Sequence, residues 1–405
     1  MINVLDINNF WSPSGGGVRR YHLEKMDYYS KKQSDFKLIF LMQDDCNRTE
    51  EISPTLTIEH VKAFKIPGKW WKYRFIFNPK QIRKYIEKYK PDIIEVGSPY
   101  VLPAAVRKAC EMHFAKTDSY PSLLGFWHAD FPVTYIRRPF NLINGFLAKK
   151  LENIAWAYAR HGFKNYRGIQ VSCKEVMQRM ESRGLSNLEW IPLGVDIEKF
   201  APSKKDGALA AELKAGEANR LTMFFPHRST EEKGLNLLLK AYPVICEKLG
   251  LEPALVFAGT GNKIHLVREA VKKYRHIKYA GFIKNVEEMA RWNASCEIGF
   301  ALSGWETFGL SILEGMASGQ CLVGANTGAA AEHIRESGGG IILQNRDEHS
   351  LAQAICEIAE DREKMQIMGK KGRAYAERFS WDLCFERQGR YYEAICKSVT
   401  CQSPE

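Results

Sequence analysis

Residues Cys296–Glu332 read CEIGFALSGWETFGLSILEGMASGQCLVGANTGAAAE and decide the fold of the second half of the chain. The apolar run 297–302 predicts a strand, a polar loop follows it, and an apolar-periodic helix is expected from about Phe308. A second apolar run, 321–325, predicts a strand that ends in a glycine-containing loop. In a parallel α/β unit, strand ends, glycine turns and helix N-termini direct free backbone N–H groups at one point. The stretch therefore predicts a site that suits a phosphate.

Two carboxylates lie in this stretch. Glu306 precedes the predicted helix and Glu314 lies inside it, so the helical rise separates them by roughly 8 to 10 Å. That distance fits the span from the sugar of a sugar diphosphate to the ribose at its other end. An ionised carboxylate only accepts hydrogen bonds and can hold a vicinal diol with both oxygens. The alternative is that Glu306 caps the helix and Glu314 lies on a solvated face.

The segment from Glu306 to Gly315, ETFGLSILEG, resembles the E-x7-E signature of the group 1 glycosyltransferases (glycosyltransferase family 4). These are retaining, nucleotide-sugar-dependent enzymes with the two-domain GT-B fold. The resemblance implies that Glu306 and the backbone amides after it hold the donor sugar and phosphate, and that Glu314 holds the ribose. The residues that carry these amides are Thr307, Phe308, Gly309 and Leu310.

The resemblance covers nearly the whole chain and implies an α/β fold of the GT-B type. Two Rossmann-like, doubly wound domains would face each other across a cleft, and 405 residues suffice for two cores. Residues 1–197, with a C-terminal helix of about 382–405 crossing back, would bind the acceptor. Residues 198–381 would bind the nucleotide-sugar donor. Pro and Gly mark the junction near 190–200, and the polar stretch 201–218 is typical of a linker-like insertion.

Composition predicts a soluble globular protein, with 45% hydrophobic and 26% charged residues. The N-terminus lacks the pattern of a signal peptide, and no run of about 18 apolar residues exists. The scattered cysteines form no C-x-x-C pair and are expected to be buried thiols in a reducing compartment. The expected location is the cytoplasm, with peripheral attachment to the inner face of the membrane left open.

A glycine-rich turn, FWSPSGGGV over 10–18, follows the first predicted strand and precedes a predicted helix. Glycine lets a ligand approach the backbone closely because no Cβ intervenes. The turn is not G-x-G-x-x-G, so it predicts no dinucleotide site. The resemblance implies that Gly16 and Gly17 lie near the donor phosphate or the acceptor. A tight turn without a ligand is the alternative.

His128 follows the predicted strand 123–127 in the sequence GFWHADFP. A side chain at the carboxyl edge of a parallel strand points into the crevice where ligands bind. The resemblance implies that His128 lines the donor-sugar pocket. A structural histidine is the alternative.

Arg228 and Lys233 lie in the loop HRSTEEKG after the predicted strand 221–226. Two such cations can grip a diphosphate from two sides, Arg bidentately and Lys as a point charge. The resemblance implies that they neutralise the leaving nucleotide diphosphate, although His227 replaces the family's usual Gly. The alternative is a solvated loop.

The resemblance also places Phe282 and Ile283 along the nucleobase through backbone groups. Because backbone groups leave little side-chain signal, both a UDP-linked and a GDP-linked donor remain open.

Basic residues concentrate in the first half of the chain. Residues 1–197 hold 30 Lys and Arg against 20 Asp and Glu, whereas residues 198–405 hold 28 against 27. Residues 65–77, KIPGKWWKYRFIF, mix cations and aromatic rings, which suits an anionic membrane surface. The same mixture suits a saccharide or lipid-linked acceptor, or a loop that packs its rings inward. A nucleic-acid partner is not expected from one short cluster.

Together these features predict a retaining, metal-independent transfer of a hexosyl unit from a nucleotide diphosphate sugar to a saccharide or lipid-linked acceptor. The expected pathway is cell-envelope polysaccharide or glycolipid synthesis, with no cofactor besides the co-substrate. Fixed cations can stabilise the leaving group, and the chain lacks a D-x-D metal motif. The alternatives are a nucleotide-sugar epimerase of the same fold and a basic module that binds lipid or nucleic acid. The predicted catalytic residues are His128, Arg228, Lys233 and Glu306.

Overall fold

A computed structural model describes residues 1–12, 16–31, 35–65, 74–114, 120–141 and 143–400. The chain forms two compact units. Unit 1 comprises Met1–Pro192 and Asp382–Glu405, and unit 2 comprises Leu193–Trp381.

The strands of unit 1 are mostly apolar runs that are buried on both faces, as in parallel sheets of α/β proteins. They are β1 (Ile2–Ile7), β2 (Phe36–Asp44), β3 (Arg48–Ser53), β4 (Leu56–Lys62), β5 (Phe64–Lys65), β6 (Arg74–Phe75), β7 (Ile93–Val96), β8 (Ser122–Phe126), β9 (Gly168–Val171) and β10 (Leu188–Trp190). One sheet has the order β10-β9-β8-β7-β1-β2-β4-β3, and β5 pairs with β6 in a separate antiparallel ribbon.

Helices connect these parallel strands. They are α1 (Gly17–Lys31), α2 (Pro79–Tyr89), α3 (Leu102–Phe114), α4 (Arg138–Asn141), α5 (Gly145–Gly162) and α6 (Lys174–Ser182). Local sequence sets their starts. Asn78 caps α2 by accepting from the Lys80 N–H, and Pro79 occupies the first helical position, where it needs no hydrogen-bond donor. Asn144 caps α5 in the same way.

Unit 2 is built on one parallel sheet with the order β13-β12-β11-β14-β15-β16. Its strands are β11 (Thr222–Phe225), β12 (Ala254–Phe257), β13 (Ile277–Tyr279), β14 (Ile298–Ala301), β15 (Cys321–Gly324) and β16 (Gly340–Ile342). Its helices are α7 (Gly207–Lys214), α8 (Leu235–Leu249), α9 (Ile264–Lys273), α10 (Val286–Ser295), α11 (Leu310–Ala317), α12 (Gly328–Ser337), α13 (Glu348–Glu360) and α14 (Arg362–Ala376). The last helix, α15 (Trp381–Thr400), belongs to unit 1 from Asp382 onward.

Both units confirm the predicted α/β class with parallel sheets. The predicted linker-like insertion over 201–218 is wrong, because α7 lies within it and buries Leu209 and Leu213 against Phe224. The antiparallel edge strand β3 was not predicted. Its mostly exposed, charge-rich sequence is typical of an edge strand, which needs no apolar run.

A buried ionic cluster lies at the centre of unit 1. The Lys25 ammonium on α1 is fully buried, 2.7 Å from the Asp6 carboxylate of β1 and 2.8 Å from the Glu95 carboxylate of β7. Burial alone would lower the pKa of Lys25, but the two carboxylates raise it above its usual value. The cluster therefore fixes α1 across the two central strands.

The same cluster holds α15 against the sheet. The Tyr392 hydroxyl donates to Glu95 and lies 3.1 Å from the Lys25 ammonium. The Gln388 amide donates to the Gln170 side-chain carbonyl of β9 at 2.7 Å. The C-terminal helix therefore completes the hydrogen bonding of groups that would otherwise be buried without partners.

We expect Lys25→Met to lower the free energy of unfolding by about 3–5 kcal/mol, because it leaves two carboxylates buried without a cation. The matched control is Lys31→Met at the exposed end of the same helix, where Lys31 pairs with Asp27 across water-accessible surface. Urea denaturation of the full chain measures both. Equal effects of the two substitutions would contradict a structural role for the buried cluster.

Candidate functional site

The strand order of unit 2 reverses between β11 and β14, which lie side by side. The order is that of doubly wound dinucleotide-binding sheets, in which ligands bind outside the carboxyl ends of the strands at this reversal. The loop 226–234 leaves β11 and the loop 302–309 leaves β14. These loops carry the predicted cations and the predicted carboxylate Glu306.

An ion pair between Lys233 and Glu306 joins the two loops. Each side chain is about one-fifth exposed, at 19% of its surface. Burial alone would raise the pKa of Glu306, but the attraction and hydrogen bond of Lys233 lower it below its usual value. Glu306 is therefore ionised at neutral pH and available only as an acceptor. The capping alternative for Glu306 is wrong, because Gly309 is the N-cap of α11 and no side chain caps it.

Arg228 lies at the exposed side of the same loop. Its guanidinium pairs with Glu232 four residues later, and 64% of its side chain is exposed. An ion pair in contact with water contributes little. Arg228 can therefore exchange this carboxylate for a phosphate, to which its planar fork can bind bidentately.

His227 links the loop 226–234 to the neighbouring strand β14. Its buried Nε2 donates to the Phe300 carbonyl of β14 at 2.7 Å, and its ring packs edge-on against Phe225. Burial lowers the pKa of His227 to about 4, so the imidazole is neutral at pH 7. His227, in place of the expected glycine, therefore fixes the start of the Arg228 loop to the neighbouring strand.

Two glycines after β12 support the Arg228 loop from the other side. A Cβ at Gly259 would lie 2.5 Å from the His227 carbonyl oxygen, and one at Gly261 would lie 2.3 Å from that of Ser229. The Ser229 N–H donates to the Thr260 carbonyl at 3.1 Å. This close approach excludes any side chain at both glycine positions. The sequence analysis missed this role, since two glycines near a strand end look like an ordinary turn.

The start of α11 has the geometry expected for an anion site. Gly309 has φ +78°, which favours glycine, and the helix begins at Leu310. The first N–H groups of a helix have no partner within the helix. Thr307 and Leu310 are partly exposed, and Glu314, the fifth helical residue, is half-buried. The predicted order of loop, helix start and second carboxylate is therefore present.

Phe308 is buried, and its ring packs edge-on against the His333 ring of α12 at 5.1 Å. His333 Nε2 donates to the Phe308 carbonyl at 2.8 Å, and Nδ1 lies 3.1 Å from the Tyr375 hydroxyl. Only the backbone of Phe308 is thus left to contact a ligand. His333 holds that backbone in place. This role could not be predicted from the sequence, because a lone histidine on a helix of small residues has the pattern of a structural histidine.

The start of α12 packs against the loop that carries Glu306. The Ala329 N–H donates to the Glu306 carbonyl at 3.2 Å. Gly328 has φ +72°, and a Cβ there would lie 2.8 Å from the Gly304 carbonyl oxygen. The glycine at 328 is therefore the position that this close packing requires.

The two residues expected along the nucleobase differ in exposure. Phe282 is exposed, whereas the Ile283 side chain is buried with Phe224 in the core of unit 2. The Gly281 carbonyl accepts from the Gly259 N–H at 2.7 Å, which ties this segment to the loop after β12. Any contact of Ile283 with a ligand must therefore come from its backbone.

Unit 1 carries the remaining predicted residues. Gly17 is the first residue of α1, and a Cβ at Gly16 would meet nothing within 4 Å, so packing does not require glycine there. The His128 ring stacks on Phe126 at 4.0 Å, and burial lowers the pKa of His128 to about 3. The imidazole is therefore neutral at pH 7. Gly97 leaves room for the Asn8 side chain and for this ring, since a Cβ there would lie 2.3 Å from Asn8 Nδ2 and 3.0 Å from the His128 ring.

Residues 66–73 of the predicted basic-aromatic segment 65–77 lie outside the described residues. At its described flanks, Phe64 and Phe77 are exposed, with ring centroids 6.0 Å apart. Across the described part of the chain, no helix has the length and apolar character needed to cross a bilayer.

Comparison with known proteins identifies the family. Residues 15–199 match the family model described as Glycosyltransferase Family 4, and residues 212–375 match the one described as Glycosyl transferases group 1. The two matches together take in most of both units. The chain belongs to the group 1 (family 4) glycosyltransferases.

Relatives of this family 4 glycosyltransferase match it over nearly its full length. The GDP-mannose-dependent alpha-(1-6)-phosphatidylinositol dimannoside mannosyltransferase of Mycobacterium tuberculosis is 25% identical over 413 residues, 99% of this chain and 98% of that protein. Sucrose-phosphate synthase from Thermosynechococcus elongatus has a TM-score of 0.77 at 16% identity, covering 98% of this chain and 100% of that one. Anabaena HepE, solved with UDP, has a TM-score of 0.70 at 14% identity, with coverages of 97% and 100%. The GT-B fold class predicted from the sequence is confirmed.

We expect the stability of this glycosyltransferase to fall below pH 6.5 partly through His227. Because burial lowers its pKa from 6.5 to about 4, the unfolded chain binds this proton more readily than the folded chain. The contribution is fully present above pH 6.5 and is lost toward pH 4, at about 1.4 kcal/mol per pH unit for this one group. His227→Gln replaces the imidazole N–H donor by an amide N–H donor that does not titrate. It should therefore flatten the plot of unfolding free energy against pH.

Urea denaturation at a series of pH values measures this slope. His265→Gln, on an exposed part of α9, is the control and should leave the slope unchanged. If the His227 variant and the wild type show the same slope of unfolding free energy against pH, His227 is not a buried neutral donor.

Proposed function

We propose that this glycosyltransferase moves a hexosyl unit from a GDP- or UDP-linked sugar to a saccharide or lipid-linked acceptor, with GDP-mannose as the first donor to test. The observation that carries the proposal is the Lys233–Glu306 pair at the strand reversal of unit 2, with Arg228 beside it in sequence. The mycobacterial relative, named for its GDP-mannose dependence, supports the choice of donor.

In this proposal the diphosphate of the donor meets three sources of positive potential. Lys233 is already held in place by Glu306, so it needs no reorganisation when the donor binds. Arg228 leaves Glu232 and binds phosphate oxygens, since an exposed ion pair costs little to break. The free N–H groups at the start of α11 provide the third source. Together they stabilise the negative charge that develops on the leaving diphosphate.

The carboxylates bind the sugars at the two ends of the donor. Glu306, ionised and partly exposed, accepts hydrogen bonds from hydroxyl groups of the transferred sugar. Glu314, the fifth residue of α11, accepts from the ribose hydroxyls. The main chain around Phe282 and Ile283 lies along the base. In unit 1, Gly16, Gly17 and His128 remain predicted ligand contacts, and a neutral imidazole suits hydrogen bonding to an uncharged sugar.

We further propose transfer with retention at the anomeric carbon and without a divalent metal. Fixed cations supply the leaving-group stabilisation that a metal ion supplies in other transferases. The departing phosphate then accepts the proton of the attacking hydroxyl on the same face of the sugar. The proposed setting is cell-envelope polysaccharide or glycolipid synthesis in the cytoplasm, at the inner face of the membrane, with residues 65–77 as one candidate lipid contact.

The two alternative functions predict different experimental results. A nucleotide-sugar epimerase would convert the donor without any acceptor. A basic binding module would show strongly salt-dependent binding and no turnover of sugar nucleotide. The Lys233–Glu306 pair at a nucleotide-binding edge favours the transferase over the binding module.

We expect Lys233→Ala and Arg228→Ala each to lower kcat/KM by about 10²- to 10³-fold, because each removes a cation that donates hydrogen bonds to the developing charge. Lys240→Ala, on the exposed side of α8, is the matched loss of one positive charge in unit 2. Steady-state release of GDP or UDP in the presence of acceptor measures all three. Near wild-type turnover in the Lys233 variant would contradict the proposal that Lys233 stabilises the leaving diphosphate.

Treatment with EDTA should leave the transfer rate unchanged within error, since the charge stabilisation resides in side chains and helix N–H groups. The rate is measured before chelation, after it, and after adding back Mg²⁺ or Mn²⁺. A loss of transfer rate on chelation that either ion restores would refute metal independence. The roles of Lys233 and Arg228 would still be decided by the kinetics of their alanine variants.

A further inference from the structure

Helix α5 of unit 1 presents an apolar surface to solvent. Ile143, in the turn before the helix, is 78% exposed, Phe146 in its first turn is 83% exposed, and Ile154 is 57% exposed. Leu147 and Tyr158 extend the same stripe and are also exposed. We call these five residues the α5 surface. Single exposed apolar residues are ordinary, but Leu147, Ile154 and Tyr158 recur at helical spacing on one face, and an exposed apolar face of this kind marks an interaction site.

The opposite side of α5 packs into the core of unit 1. Its buried residues recur at helical spacing and, apart from Glu152, are small or aromatic. Asn144 caps the helix through the N–H groups of Phe146 and Leu147, which fixes the first turn. The α5 surface is therefore the outer face of an ordered, capped helix. The buried residues are Ala148, Glu152, Ala155, Trp156, Ala159 and Gly162.

Charge around the α5 surface is positive. Residues 132–164 hold six Lys and Arg and a single carboxylate, Glu152. That carboxylate is turned inward, where it accepts from Arg183 at 3.0 Å and from the Trp156 ring N–H at 3.1 Å. Lys149 and Lys150 are exposed beside Phe146. The outer face thus combines large apolar side chains with cations and lacks negative charge.

We propose that the α5 surface docks onto an anionic phospholipid membrane. Helices in the plane of a bilayer bury apolar side chains at the boundary of headgroups and acyl chains, while flanking Lys and Arg contact lipid phosphates. Ile143 and Phe146, at the tip, enter the lipid, and Lys149 and Lys150 bind the headgroups. This surface differs from residues 65–77 and does not depend on the donor site.

Charge complementarity favours lipid over a second copy of the chain. A two-fold contact through the α5 surface would bring Lys149 and Lys150 of one copy next to the same cations of the other. Like charges facing each other oppose association. An anionic membrane instead neutralises them and provides an apolar phase for Phe146.

The test is flotation of the full-length protein with vesicles of phosphatidylcholine containing roughly one third phosphatidylglycerol, against pure phosphatidylcholine. Wild type should bind the anionic vesicles more strongly, and less so at high salt.

Ile143→Ser combined with Phe146→Ser should weaken binding at least about tenfold. Lys149→Glu combined with Lys150→Glu should abolish the preference for anionic vesicles. Ile52→Ser, at a half-exposed apolar residue of β3, should bind like wild type.

Since the substituted residues are exposed, all variants should melt at the wild-type temperature, and donor turnover with a soluble acceptor should be retained. Vesicle binding by the Ile143 and Phe146 double variant at the wild-type level would overturn the proposal. So would equal binding of wild type to both vesicle types. A wild-type dimer that becomes monomeric in the double variant, with no vesicle binding by either, would identify the surface as a contact between copies.

Discussion

The ion pair between Lys233 and Glu306 is the interaction on which the proposed donor site of unit 2 depends. Parallel pairing of β11 with β14 brings the ends of the two strands together, so that Lys233 and Glu306 meet although 73 positions separate them. Partial burial makes such a pair costly unless both charges are well bonded. In return, the pair holds an ammonium group and an ionised carboxylate at fixed positions where a sugar diphosphate would be bound.

Uncharged contacts hold this pair in place. His227 and His333, both buried, donate to carbonyls at opposite ends of the segment that carries Glu306. Gly259 and Gly328 let neighbouring loops approach more closely than any side chain would allow. The geometry of the charged groups is therefore set by hydrogen bonds and by absent Cβ atoms. Substitutions at these positions would act on binding indirectly, through the loops.

The sequence predicted most of the parallel strands, because strands buried on both faces leave continuous apolar runs, as at 123–127 and 321–325. It failed where that signal is missing: β3 has exposed charges, and α7 lies in a stretch whose polar residues hide Leu209 and Leu213. In the site, the E-x7-E spacing and the two cations could be predicted by resemblance. The supporting histidines could not, since a lone histidine in an apolar setting has the same pattern whether or not it positions a loop.

Unit 1 depends on a comparable buried charge cluster, in which Lys25 joins α1, the central strands and α15. The proposed donor site of unit 2 is tested most directly by a crystal structure of the full chain with GDP bound. We expect the diphosphate to lie within hydrogen-bonding distance of the Lys233 ammonium and the N–H groups at the start of α11, with Arg228 released from Glu232. A diphosphate bound elsewhere, with Lys233 still in contact only with Glu306, would contradict it.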